Sequence, residues 1–479
     1  MKIAGVWLQK IKQDPKIQHA VSEPYGLEMI LAIAQSEGHQ VDLFLPVVEK
    51  EGNIQSSSEA ELVERIVNFN PDVVAFSIYT SQYPMSSRIA AQLKRRIPET
   101  IIIAGNRYPT FLKERIEKPF DFFVLKEGEK TFSELLREIE DGKNYNRVKG
   151  ISFRKNGHGI FTGFRERVSD LDNLPYALRF DVILKQVYRA ISVPPLSSNP
   201  HYAIMEYSRA CFNHCRFCDS KEFWGNNVVF RSTGKVIQEM FELQQRGADI
   251  FYFMDLNFTA DLQRAKKLCE EMIKQRLNAS WYCMSNIGTL IGNEWILDIM
   301  KEAGCYKIAW GIESTNDRFL AMMDKSTKGI LLTNDHAQKV LQASSQKGII
   351  NQGFYIIGFP WETAESIARD GEALKYMSLH QLNIGIFTPI PLSEFFNRMI
   401  AEGYEFTPDL EKYDRNCLVY KHKALTPEIT KSLQEKLYQD FYSTPGYLGR
   451  IRESSRINPD LKKAFNDYFE FMGKDIIIK

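Results

Sequence analysis

Residues 208–218 read Ser208-Arg-Ala-Cys-Phe-Asn-His-Cys-Arg-Phe-Cys218, so three of the chain's seven cysteines, Cys211, Cys215 and Cys218, fall at the spacing C-x3-C-x2-C. A structural zinc site needs a fourth thiolate or imidazole to close its tetrahedron. The downstream cysteines, Cys269, Cys283, Cys305 and Cys417, stand apart and offer no second C-x2-C. His214 lies inside the loop, but its adjacency to Cys215 makes shared coordination awkward. Three thiolates on one compact loop suit a 4Fe–4S cluster with one iron left without a protein ligand. An open coordination position is what a catalytic metal site requires. Spacing alone leaves two plainer readings standing: a chance trio, or part of a zinc knuckle.

Such a loop does chemistry only if the chain around it builds a site. After the proline-rich stretch Val193-Pro-Pro-Leu-Ser-Ser-Asn-Pro200, short apolar runs alternate with amphipathic stretches. Strands are expected at Tyr202–Met205, Ile250–Met254, Ser280–Met284, Lys307–Trp310, Gly353–Ile357 and Ile384–Phe387, with helices between them. Six βα units make a partial (β/α)6 barrel of the TIM type over residues 200–400. Barrel chemistry sits at the C-terminal ends of the strands. That rule singles out Asp255 and Asn257, Ser285 and Asn286, Glu313 in Gly311-Ile-Glu-Ser314, the turn from Ile357, and Thr388-Pro-Ile-Pro-Leu-Ser393. Taken singly, Glu313 reads as a helix N-terminal carboxylate and Asp255 as a turn residue. One after each strand, in order, they read as a site. Cys283 lies inside the third strand, and if it faced the lumen it could donate a hydrogen atom; it is the one catalytic candidate.

Residues 1–150 alternate in the same way, with strands at Lys2–Leu8, Val41–Leu45, Asp72–Ile78, Thr100–Ala104 and Phe122–Leu125. This predicts a doubly wound parallel sheet of Rossmann type, with ligands at the carboxyl ends of its strands. Residues 151–199 read as a bridge. Residues 401–479 read as a helical extension, with a capping box at Thr426-Pro-Glu-Ile-Thr430 and an aromatic stripe at Phe465, Tyr468 and Phe469. The fold class is therefore α/β throughout, with helices at the C-terminal end.

The 479 residues are too many for one ordinary core, and 44% apolar with 25% charged residues is a globular composition. The balance of 61 basic to 60 acidic residues gives no global electrostatic case for nucleic acid. Lys94-Arg95-Arg96 reads as a solvated helix face. No segment reaches the length of a membrane span, and the N-terminus is too weakly apolar for a signal peptide. An odd cysteine count with one dense cluster argues for a reducing, cytoplasmic setting.

The C-x3-C-x2-C loop, with Phe217 just before its third cysteine, resembles the radical S-adenosylmethionine (SAM) superfamily. The resemblance implies that SAM chelates the open iron and is cleaved to a 5′-deoxyadenosyl radical. It further implies that Asp255 and Asn257 lie near the SAM amino group and that Ser285 and Asn286 lie near its carboxylate, where many relatives carry Ser-Arg. Glu313 would bind the ribose hydroxyls, and the turn at Ile357 would read the adenine edge. In Thr388-Pro-Ile-Pro-Leu-Ser393, leucine stands where the family has glycine. The N-terminal third resembles the cobalamin-binding domain of one radical SAM class through Pro24-Tyr-Gly-Leu27, Ser77, Thr80, Ala104-Gly105 and Glu127-Gly-Glu-Lys-Thr131. No D-x-H-x-x-G motif is present. Ala104 replaces an expected glycine, and Asn106-Arg-Tyr108 follows where a histidine is common. The implied cofactors are the 4Fe–4S cluster, SAM and cobalamin. The implied partners are a small-molecule substrate and an external electron donor of flavodoxin or ferredoxin type. Methyl transfer to carbon is the expected reaction. Radical dehydration, epimerisation or rearrangement over a vestigial cobalamin domain is the alternative, and a non-catalytic corrin or Fe–S sensor stands behind both.

Overall fold

The computed structural model describes residues 1–9, 22–50, 53–180, 201–457, 459, 461–463 and 465–466. The stretch Val193–Pro200, Tyr468 and Phe469 lie outside them. The chain forms two compact units, residues 1–186 with 409–411, and residues 187–408 with 412–479.

In the first unit each expected apolar run is a strand: β1 (Lys2–Trp7), β2 (Gln40–Phe44), β5 (Val73–Ser77), β6 (Ile101–Gly105) and β7 (Phe122–Val124), with a small hairpin β3 (Val47–Lys50) and β4 (Asn53–Ser56) after β2. Their order, β2-β1-β5-β6-β7, is parallel throughout. Crossovers run through α1 (Tyr25–Ser36), α2 (Glu59–Phe69), α3 (Tyr83–Arg96) and α4 (Arg107–Leu112), and α5 (Glu129–Arg137) follows β7. Successive strand residues feed opposite faces. Ile3, Val73 and Ile103 enter one core with Leu31 and Leu135, while Ala4, Val74 and Ile102 enter the other with Ile66 and Leu93. The parallel sheet expected over residues 1–150 is present, and the stretch read as a bridge adds to it. Beyond β7 the sheet continues with two antiparallel strands, β8 (Ile151–Lys155) and β9 (His158–Phe161), so it is mixed. Their two-residue loop, Asn156-Gly157, has φ of 52° and 84°. Asn-Gly in that conformation is the preferred tight hairpin turn.

The second unit holds a six-stranded parallel sheet in sequential order: β10 (Tyr202–Met205), β13 (Ile250–Phe253), β14 (Ser280–Ser285), β15 (Cys305–Glu313), β18 (Ile350–Ile357) and β19 (Gln381–Ile386). Two short hairpins interrupt it, β11 (Ser208–Arg209) with β12 (Val229–Phe230), and β16 (Ser326–Thr327) with β17 (Ile330–Leu331). The crossovers are α6 (Ser220–Trp224), α7 (Thr233–Gln245), α8 (Leu262–Lys274), α9 (Ile287–Leu290), α10 (Ile296–Glu302), α11 (Asp317–Met322), α12 (Asn334–Gln346) and α13 (Ala364–Leu374), with α14 (Glu394–Ala401) after β19. Alternation along β14 fixes the faces: Trp281 and Cys283 are fully buried, while Tyr282 and Met284 remain partly exposed on the other side. Sequential parallel order puts the crossover helices on one face and leaves the other for a site.

The C-terminal extension closes the exposed edge of this sheet. From α15 (Pro427–Tyr442), the hydroxyls of Tyr442 and Tyr438 accept from the Leu382 and Ile384 amides at 3.0 and 2.7 Å, and Gln434 Nε2 donates to the Ile384 carbonyl at 2.6 Å. These side chains do for β19 what a seventh strand would do, removing a bare edge. From α16 (Pro445–Ile457), Tyr447 donates to the His380 carbonyl and Arg450 to that of Leu379.

His380 itself is fully buried, accepts from the Asn351 amide at Nδ1 (2.9 Å) and shares a hydrogen bond with Ser454 on α16 (2.6 Å). Burial, and secondarily Arg450, push its pKa down to about 3. An unfolded histidine titrates near 6.5, so this contact is at full strength above that pH. It is lost as the pH falls from there toward 3, at up to about 1.4 kcal/mol per pH unit. Amide exchange across residues 445–457, corrected for intrinsic rates, is expected to be faster at pH 5 than at pH 7. The difference should shrink in His380→Gln; equal protection at both pH values in the native chain would contradict the assignment.

Candidate functional site

The cysteine loop leaves β10 on a buried charged anchor. Arg209 donates to both oxygens of Glu206, at 2.7 and 3.0 Å, and the fully buried Arg231 lies 3.8 Å from Glu206 and from Glu239. Ala210, just before Cys211, has φ +80°, a conformation an alanine holds only where its surroundings impose it. Burial raises the pKa of Cys211 and pushes that of Cys215 up to about 11, against the pull of Lys325. Cys211 is an electrostatic neighbour of both Cys215 and Cys218. The three thiols are partly buried neighbours on one loop, a donor set that fits a cluster with one iron left open. His214 is exposed.

The strand-end residues come together. Asp255 is fully buried and accepts from the Ser208 hydroxyl and the Tyr207 amide. Burial pushes its pKa up to about 7 despite these donors. Asn257 Oδ1 accepts from the Asn286 amide at 3.1 Å and from the Ser285 hydroxyl at 3.3 Å, while its buried Nδ2 makes no hydrogen bond among the described residues. Thr259 shares hydrogen bonds with Ser285 and Thr289. Asn286 Oδ1 accepts from the Gly288 amide (2.7 Å) and the Thr327 hydroxyl (3.0 Å). Its amide nitrogen is therefore the end left to meet a ligand acceptor.

Glu313 sits at φ +66° on a register shift between β15 and β18. Its buried carboxylate pairs with the ammonium of Lys325 at 2.8 Å. Burial opposes the charge on Lys325, but Glu313, Cys215 and Cys211 together hold its pKa above the ordinary range. Lys325 also lies 5.8 Å from the Phe217 ring centroid. Sequence reasoning passed over Lys325 and Thr327. Both lie in a polar segment, Asp324-Lys-Ser-Thr-Lys-Gly329, that reads as surface, and only the β16–β17 hairpin folds it against the site.

Ile357 is fully buried, and its carbonyl accepts from the Phe387 amide at 2.7 Å. The following turn is locked from the C-terminal extension: the Tyr420 hydroxyl donates to the Gly358 carbonyl at 2.6 Å and His422 Nε2 to that of Phe359 at 2.9 Å. Glu362, pushed up to about 8 by burial, accepts from the Phe359 amide at 2.8 Å. What this turn presents is an aromatic wall. Phe359 stacks on Phe387 (4.2 Å) and Trp361 (4.8 Å) and meets Phe217 edge-on at 6.4 Å. The tail thus supplies residues that support the site, for which it carried no recognisable motif. Leu392 takes φ +81°, the geometry for which glycine is ordinarily used.

Cys283 does not face the lumen. It lies in the helix-facing layer, fully buried, with Cys269 of α8 and Cys305 as its neighbours. The alternation of β14 decides this: Cys283 falls between Tyr282 and Met284, which take the open face.

In the first unit Ser77 and Gly105 end adjacent strands, and Thr80 opens the turn after Ser77. The Ala104 methyl points away from this edge into the core with Ile78 and Phe123. Asn106 folds back to donate to the Ser77 hydroxyl at 3.0 Å, and Tyr108 packs between Tyr83 and Phe111. Ala104 and Tyr108 thus pack into the core, while Asn106 bridges the ends of β6 and β5. Gly26, in the first turn of α1 at the same edge, would carry a Cβ with nothing within 4 Å. The edge fits a bulky planar group laid over it.

Residues 19–136 match the B12 binding domain family and residues 205–374 the radical SAM superfamily. The chain is a cobalamin-dependent radical SAM enzyme, its domains implying a 4Fe–4S cluster, SAM and cobalamin. Among curated proteins it is 27% identical over 455 residues to an uncharacterized methyltransferase of Pyrococcus horikoshii, covering 94% of each chain. It is 25% identical to the anaerobic magnesium-protoporphyrin IX monomethyl ester cyclase of Rubrivivax gelatinosus, over 82% of this chain and 69% of that one. Among solved structures it shares the fold of the radical SAM methyltransferase TsrM from Kitasatospora setae, with a TM-score of 0.72, 14% identity and 98% of both chains covered. No helix among the described residues is long and apolar enough to cross a membrane.

Proposed function

We propose that the protein transfers a methyl group to an unactivated carbon of a small molecule. The observation that supports this reading best is the clear edge of the first unit. Two side chains that could have displaced a corrin, Ala104 and Tyr108, pack into the core instead, which supports a working cobalamin site over a vestigial one. In this reading residues 1–150 hold the corrin, with Ser77, Thr80, Gly105 and the backbone at Ala104 against its tail. Residues 151–199 connect, residues 200–400 carry the radical chemistry, and residues 401–479 brace it. Bound in these places, the cluster supplies the electron that cleaves SAM and the corrin relays the methyl group.

The remaining roles belong to side chains of this chain. Cys211, Cys215 and Cys218 ligate the cluster. Asp255 and Asn257 orient the SAM amino group, Asn257 through its unengaged Nδ2. Ser285 and the Asn286 amide nitrogen take the carboxylate. Asn286 cannot pair bidentately as arginine would, and the buried cation of Lys325 compensates from the neighbouring hairpin. Glu313 retains acceptor capacity for the ribose beside its ion pair. Phe217, Phe359 and the turn from Ile357 wall off the adenine side and exclude water. An external one-electron donor is required.

The test is a product count. A methyltransferase of this kind spends one SAM as methyl donor and one as radical source. Incubation of reduced holoenzyme with a small-molecule extract should therefore give S-adenosylhomocysteine and 5′-deoxyadenosine in equal amounts. Deoxyadenosine without S-adenosylhomocysteine would favour the cyclase-like or rearranging alternative.

A further inference from the structure

Toward the C-terminal ends of its strands, the open face of the six-stranded sheet carries an apolar row. Met254 directly follows β13, Met284 belongs to β14, and Phe354 and Ile356 belong to β18. All four are partly exposed, while their neighbours in sequence are buried. Two glycines mark the ends of the row, Gly311 as the register partner of Phe354 and Gly385 as that of Ile356. A Cβ at Gly311 would lie 2.6 Å from Glu313 Oε1 and 2.7 Å from Lys325 Nζ, so that ion pair stands over the face there. A Cβ at Gly385 would instead lie 3.8 Å from the Cβ of Arg415. β15 and β19 are two strands apart, about 10 Å at the usual spacing, and Phe354 and Ile356 occupy the interval.

Arg415 is fixed at this rim by its backbone. Its carbonyl accepts from the Ile386 amide at 2.8 Å, and it takes φ +67°, a conformation a non-glycine residue keeps only where its surroundings impose it. Its side chain is exposed, and its guanidinium makes no hydrogen bond or ion pair among the described residues. The carboxylate next to it in sequence, Asp414, accepts instead from the Asn416 amide at 3.0 Å. Asn383, two positions before Gly385 on the same face, is likewise exposed with its side-chain amide unengaged. A guanidinium fork and a neutral amide thus border an apolar strip whose far end is the Glu313–Lys325 pair.

We infer that Arg415, with Asn383 beside it, binds the acid end of the substrate, a carboxylate carried on an apolar body. The guanidinium fork pairs with both oxygens of a carboxylate, and one cation with one neutral amide matches its single charge. A phosphate dianion would call for a second cation. Met254, Met284, Phe354 and Ile356 receive the apolar body, whose far end then lies toward the ribose pair, about 10 Å along the sheet. The inference rests on the proposed function only in taking the open face as the substrate side.

The probe is hexanoate, compared with hexanamide and hexanol, by ligand-observed NMR on the oxidised holoenzyme saturated with SAM, so that the place of the SAM carboxylate is already filled. Hexanoate should bind at least tenfold more tightly than either of the others. Arg415→Gln should abolish that preference. Arg415→Gly, which suits the left-handed backbone and so keeps the fold, should do the same. Iron content and circular dichroism should match the native chain in both variants. If hexanoate binds no better than hexanol, or if the preference survives in both variants, the inference falls. A preference that Arg415 controls, in an enzyme whose product count shows no S-adenosylhomocysteine, would uphold the inference and overturn methyl transfer, so the two failures can be told apart.

Discussion

Cys215→Ala is expected to abolish SAM cleavage completely, with reconstituted iron falling far below that of the native chain. Three ligands are the minimum that holds a four-iron cluster while leaving one iron for SAM. The lesion should therefore be local and deep: the buried anchor of Arg209 and Glu206 lies at the foot of the loop and should keep the apoprotein folded. Iron analysis, circular dichroism and 5′-deoxyadenosine formation after anaerobic reduction check the three parts. A variant lacking any one of the three cysteines that still cleaved SAM at the native rate would remove the cluster assignment.

The second large effect concerns Glu313 and Lys325. Removing either partner alone leaves a charge buried beside the cysteine loop, and breaking a buried pair typically costs about 3–5 kcal/mol. Glu313→Ala and Lys325→Met are each expected to lower the unfolding midpoint sharply. The double variant Glu313→Gln with Lys325→Met removes both charges together and should recover most of the stability. It should not recover SAM affinity, because the acceptor for the ribose and the cation near the thiols are both gone. Denaturation and SAM-binding titrations on the three variants separate these outcomes. Recovery of SAM affinity along with stability would make the pair a purely structural feature.

How much of this was legible in the sequence depends on the range over which each signal acts. The strands of both units were readable because apolar runs and their spacing are local, and the order of residues after the strands follows from βα topology. The β8–β9 hairpin was passed over although Asn156-Gly157 marks it, since the stretch was read as a bridge. Its antiparallel pairing onto β7 is a tertiary event. The face of Cys283 hung on strand parity, which one residue of error reverses. Lys325 was hidden because a charged side chain in a polar segment looks solvated until a hairpin folds it inward. Tyr420 and His422 were hidden for a related reason: their partners, the carbonyls of Gly358 and Phe359, lie some sixty residues upstream. Ala104 stands where a glycine is expected, and the sequence alone does not say that its methyl enters the core, because a single position does not fix which side of the sheet a side chain takes.

Methyl transfer depends most directly on the corrin. Anaerobic incubation of the full chain with hydroxocobalamin, followed by desalting and an ultraviolet–visible spectrum, is expected to show one cobalamin retained per chain. A protein that loses the corrin band on desalting, while its cluster still cleaves SAM, would contradict it.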